Sequence, residues 1–178
     1  MPAERGEIMS VVCSIRLVKA ALAAALIIAS TGAYADELGY EAYIDSPKRI
    51  KCLYGYVTAK TGNFDAAKQI FEDCVRRWDD IYSMISLAQM YESGSGVPKD
   101  LERAAMLLKR AAEQPDEASY VSLARYHWGV ALAEGRGVSA DLQAARHWLQ
   151  SASKGGQTEA DDYLKHMDTA AQSDSSTR

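Results

Sequence analysis

Residues 94–101, Gly-Ser-Gly-Val-Pro-Lys-Asp-Leu, return 41 positions later as Gly-Arg-Gly-Val-Ser-Ala-Asp-Leu at 135–142. The same shift carries the flanks without a gap. Leu87, Ala88 and Met90 fall on Trp128, Gly129 and Ala131, and Ala104, Leu107, Leu108 and Ala111 fall on Ala145, Trp148, Leu149 and Ala152. An earlier copy, Asn63-Phe64 followed by Ala67, Ile70, Phe71 and Cys74, aligns with Asp100-Leu101 and its sequel at a shift of 37, so its turn is four residues shorter. A period of this length makes each copy one supersecondary unit, whose apolar face is buried only against its neighbours.

Each unit reads as a helical hairpin. Leu101, Ala104, Ala105, Leu108, Ala111 and Ala112 recur at steps of three and four, leaving Glu102, Arg103, Lys109 and Arg110 for solvent. Asn63, Asp100 and Asp141 stand at matching entry points, where a short side-chain oxygen caps amides that have no partner in the first helical turn. The Gly-x-Gly-Val element supplies the stop and turn between helices. Helices are expected near 47–60, 64–77, 79–92, 100–113, 117–133, 141–154 and 158–170, the first opening on Pro47. The expected fold is all-α: about three helix pairs, closed by a helix whose Asp161, Asp162, Lys165 and His166 shield the last apolar face.

Outside residues 47–170 the composition changes. Arg5, Arg16 and Lys19 precede the apolar run 20–29, which leads to Ala33-Tyr34-Ala35, a secretory signal pattern. The run is half the ~20 residues that a spanning helix needs. Residues 1–35 are therefore read as a signal peptide, beginning at Met1 or Met9, with cleavage after Ala35 and a periplasmic or secreted product free of a permanent membrane anchor. Residues 36–46 read as a lead-in, and 171–178, which lack apolar periodicity, as a disordered tail. With 20 Lys plus Arg against 24 Asp plus Glu, the formal charge of −4 gives no electrostatic reason to expect a nucleic acid or an anionic membrane as partner.

Ala124, Tyr126, Trp128, Gly129, Leu132, Gly135, Gly137, Val138, Asp141, Ala145, Trp148 and Ala152 together resemble the Sel-one-like repeat, a relative of the tetratricopeptide repeat. Leu87, Met90, Tyr91, Gly94, Gly96, Val97, Asp100, Ala104 and Ala111 fit the same pattern one copy earlier. The first copy, with Gly55, Gly62, Asn63, Phe64 and Ala67, lacks the Gly-x-Gly-Val turn, and Ala160, Tyr163 and Leu164 begin an unfinished fourth unit. The resemblance spans roughly residues 48–167. It implies a right-handed α-solenoid of antiparallel helix pairs that presents surfaces to other proteins.

In an antiparallel pair turning near Gly62, Cys52 and Cys74 stand at similar heights. A disulfide and two buried thiols both fit that placement; export, and the disulfide-linked helix pairs of secreted members of the family, favour the bond. The first-helix positions Lys51, Tyr56, Gln89, Glu92, Arg125, His127 and Val130 are the candidate contacts for a protein partner.

Enzymatic signatures are weak. Gly135-x-Gly137-x-x-Ala140 follows a helix, whereas a dinucleotide loop follows a strand. Ser151-x-x-Lys154 and Lys60-Thr61-Gly62 echo penicillin-recognising enzymes in reversed order and without a sheet. Because some secreted relatives are linked with β-lactam binding or hydrolysis, that activity is the alternative to a non-catalytic scaffold. His127 and His147 lack a third ligand for zinc, and no cofactor is expected.

Overall fold

The computed structural model describes residues 43–118 and 120–176, with the backbone alone for Ala171 and residues 173–176. The signal pattern and the first part of the lead-in lie outside the described residues. Seven helices follow one another: α1 (Lys51–Lys60), α2 (Phe64–Trp78), α3 (Ile81–Ser93), α4 (Leu101–Ala112), α5 (Val121–Glu134), α6 (Leu142–Lys154) and α7 (Thr158–Ser176), with no strand among the described residues.

The second helix of every pair starts as the sequence predicts. The side chains of Asn63, Asp100 and Asp141 accept hydrogen bonds from the amides of Ala66 (3.2 Å), Arg103 (2.9 Å) and Ala144 (2.9 Å). Asp80 caps α3 in the same way through Ser83 N, at 3.0 Å. Such caps each contribute about 1 kcal/mol. Three boundaries differ from expectation. Pro47 lies in irregular chain four residues before α1, so it does not open that helix. Successive turns, Ala118 N to Pro115 O and Val121 N to Ala118 O, delay α5 until Val121. The terminal helix runs to Ser176, past the position where the sequence predicts a tail; no Gly or Pro interrupts residues 158–176.

Consecutive helices pack against one another throughout the chain. The first helices also meet each other, α1 against α3 and α3 against α5, whereas no comparable contact joins α2 to α4. The first helices therefore form a closer, inner layer and the second helices a splayed, outer one. Enclosure explains their compositions: α3 buries Ile81, Met84, Ile85, Leu87, Ala88, Met90 and Tyr91 around most of its girth, while α2, α4 and α6 each bury one stripe.

Small residues on first helices admit large ones from second helices at a repeated position. Gly55 faces Phe71 and Gly129 faces Leu149, where an added methyl group would come within 2.6 Å and 2.8 Å of the opposing side chain. Ala88 and Leu108 hold the corresponding places in the middle pair, and both are buried. Full burial of a leucine such as Leu149 stabilises the hairpin by about 1.5–3 kcal/mol. The second glycine of each Gly-x-Gly-Val turn has a packing role as well as a conformational one. Gly96 (φ 69°) lies against Phe64 and Gly137 (φ 69°) against the Leu101 carbonyl, so each turn rests on the first residue of the preceding pair's second helix.

Candidate protein-binding face

The inner layer has a readable register. On α3, Tyr82, Ser86, Gln89 and Ser93 recur at steps of four, three and four, forming a half-exposed, uncharged polar stripe on an otherwise apolar helix. The matching rows are Arg49, Leu53, Tyr56 and Lys60 along α1 and the turn before it, and Leu123, His127, Val130 and Glu134 on α5. The α5 row is closed by α7: Val130 is buried beside Ala160, Tyr163 and Leu164, and the Tyr163 hydroxyl donates to Glu134 at 3.1 Å. The rows of α1 and α3 remain open.

Three tyrosines cross these open rows. The Tyr56 and Tyr82 rings meet edge to face with centroids 6.0 Å apart, and Tyr82 and Tyr120 tilt together at 5.1 Å. Tyr120 holds a left-handed backbone (φ 67°), a conformation disfavoured for an aromatic residue. Burial, then the neighbouring Tyr56 and Tyr120, push the Tyr82 phenol above its ordinary value, so the central ring of the ladder is uncharged at neutral pH. Beside it Tyr56, Lys60, Phe64, Ser86, Gln89 and Ser93 line a groove of about 320 Å³. Aromatic faces next to amide and hydroxyl groups grip an extended polypeptide by contact area and hydrogen bonding, with little entropy to lose.

Of the seven candidate contacts, the structure leaves Tyr56 and Gln89 open on this groove and assigns other work to the rest. Lys51 is fully buried: its ammonium donates to the Ile44 carbonyl at 2.7 Å and pairs with Asp73, which fixes the lead-in against α1 and α2. Burial alone would push the Asp73 carboxyl up, but Lys51 and then Arg77 outweigh it and hold the group below its usual value. Arg125 is a staple. Its guanidinium donates to the carbonyls of Ala112 and Gln114 and to Ser151 Oγ, each at 3.2 Å, and pairs with Asp116 at 2.6 Å. The Ala112 carbonyl ends α4, where acceptors lack helical partners, and that of Gln114 lies just beyond it. Glu92 is tied to Arg136 at 3.0 Å, linking the last two pairs. Val130 lies under α7, and His127 is half-buried near Arg136 and Glu159, where burial and then Arg136 lower its pKa.

Cys52 and Cys74 are joined by a disulfide, Cα to Cα 5.9 Å, packed among Tyr43, Ile44, Ile70 and Trp78. Ser151 Oγ faces the Arg125 guanidinium, a donor that cannot act as a base, and Lys154 is exposed at the end of α6. Trp128 is in the core with Trp148 packed against it. No group of three or more His, Cys, Asp or Glu side chains is placed to hold a metal ion among the described residues.

Residues 81–116 and 122–157, the second and third hairpins, each match the family model of the Sel1 repeat. The chain carries Sel1 repeats. A solved structure of a Sel1 repeat protein from Oxalobacter formigenes is similar, at 24% identity and a TM-score of 0.57, covering 65% of this chain and 45% of that one. The chain thus spans less than half of that protein's length, and the likeness is one of fold. No curated protein matches. Sel1 repeats make this a helical solenoid of the protein-interaction type, and such repeats are generally non-catalytic scaffolds. No helix among the described residues is long and apolar enough to cross a membrane.

Proposed function

We propose that this Sel1 repeat chain is an exported adaptor, a non-enzymatic scaffold that holds an extended segment of a periplasmic or extracellular protein on its inner layer and regulates that protein by sequestering the segment. The observation that carries this reading is the open tyrosine ladder Tyr56, Tyr82 and Tyr120 beside Gln89, an aromatic and amide surface that the repeat packing leaves uncovered. Export rests on the basic, apolar and small-residue succession of residues 1–35 and agrees with a Cys52–Cys74 bond, which persists in oxidising compartments. The test has two parts. Intact mass of the protein recovered from the envelope or medium is expected to correspond to a chain starting at Asp36; a full-length cytosolic product contradicts export. Tyr82→Ala, at the centre of the ladder, is expected to weaken capture of the partner at least tenfold, and equal capture contradicts the inner-layer reading.

A further inference from the structure

The outer layer carries a second surface that breaks the repeat. Between α2 and α4, whose axes are held apart by α3, lies a groove of about 520 Å³ with Arg76 on one wall and Arg103 and Arg110 on the other. At the matching positions the next pair has Glu113, Ala144 and Ser151, so hairpin stacking does not require these arginines. The floor differs too: Leu107 stands where the next pair has the larger Trp148, which leaves room above Leu87 and Tyr91.

Charge is also unbalanced here. The chain as a whole is acidic, with a formal net charge of −4. The lining of this groove sets Arg76, Arg103 and Arg110 against Glu72. The single Asp73 carboxylate is shared by Lys51, Arg76 and Arg77, Asp79 pairs with Arg110, and Arg103 has no carboxylate partner among the described residues. Glu72 is the one acid on the rim, set 3.9 Å from Lys68. The Arg103 guanidinium rests on the Tyr91 ring, 4.7 Å from its centroid, and is exposed. That stacking fixes its plane and presents the donor fork that matches a carboxylate. Arg103 and Arg110 lie two turns apart on α4, about 10 Å along its axis. About three residues of an extended peptide cover that distance.

We propose that the groove between α2 and α4 binds an acidic segment of a partner protein, with carboxylates on Arg76, Arg103 and Arg110 and one aliphatic or aromatic side chain anchored over Leu87, Tyr91 and Leu107. The surface is separate from the tyrosine ladder and does not depend on it. The probe is a fluorescein-labelled Glu-Glu-Leu-Phe-Glu-Glu peptide, titrated against the disulfide-intact chain by anisotropy, with the Gln-for-Glu peptide as its control. Saturable binding of the acidic peptide alone is expected, weakened about tenfold by Arg103→Glu and by raising salt from about 20 to about 300 mM. Arg103→Gln is expected to fall between, and Tyr82→Ala on the inner layer to leave this binding unchanged. The circular dichroism melt of each variant identifies loss of fold. Equal binding of both peptides, no saturable binding, or no response to either Arg103 variant overturns the proposal. So does arginine-dependent sedimentation with phosphatidylglycerol vesicles in the absence of peptide binding, which assigns the charge to a membrane surface.

Discussion

Gly137 illustrates how a single missing atom holds two repeats together. Its left-handed backbone disfavours any side chain, and a methyl group would also overlap the Leu101 carbonyl. Gly62 has a similar φ, 86°, but open space around it. Gly62→Ala is expected to cost about 1 kcal/mol, the left-handed penalty alone. Gly137→Ala is expected to cost upwards of about 3 kcal/mol, since the turn must move off α4. Urea midpoints of the two variants measure the difference. His127 makes a prediction of the opposite kind. Its folded pKa lies below the ordinary value because burial and then Arg136 disfavour the cation, so the unfolded chain takes up the proton first. Its contribution is complete above the unfolded pKa, about 6.5, and is lost as pH falls through the folded value. His127→Gln is expected to flatten the stability profile between about pH 7 and pH 5; an unchanged slope contradicts this. Residue roles were the least legible part of the sequence. Lys51 and Arg125 read as surface contacts because charged side chains are seldom buried, and linear order does not reveal that Asp73 meets the first or that the end of α4 meets the second.

At the scale of the helix, the sequence carries most of its own structure. Asn63, Asp100 and Asp141 were readable as caps because a cap requires one oxygen at a fixed offset from an apolar stripe, and all three accept the expected amide bond. The start of α5 was not, because it has no capping side chain and depends on two successive turns. The tyrosine ladder leaves only a faint trace, the polar spacing of Tyr82, Ser86, Gln89 and Ser93 within an apolar helix; Tyr120 joins it by tertiary placement. The first hairpin, which lacks the Gly-x-Gly-Val turn, is secured instead by a covalent bond. Closing a separation of 22 residues, the Cys52–Cys74 disulfide constrains the unfolded chain by about 3 kcal/mol in the loop-entropy model. Reduction, or Cys52→Ala with Cys74→Ala, is expected to lower the urea-derived stability by that amount and to loosen α1 and α2 before the Sel1 repeats. Hydrogen exchange resolved by segment checks the order; uniform loss of protection across all seven helices contradicts it.

For the whole molecule, repetition solves the burial problem and leaves function to the departures from repetition. Each hairpin covers the apolar side of the next, α7 covers the last inner row, and among the described residues no helix lies over the rows of α1 and α3. The arginine groove departs from the same pattern on the outer layer. The central claim is that the open inner layer holds a protein partner. A photo-crosslinking amino acid at Gln89, exposed in the groove, and another at Leu142, 62% exposed at the start of α6 and lining neither groove, test it most directly. In intact cells of the native host, irradiation is predicted to give one adduct of discrete mass from Gln89, abolished by Tyr82→Ala, and none from Leu142. No adduct at Gln89, or the same adducts from both positions, would contradict the account.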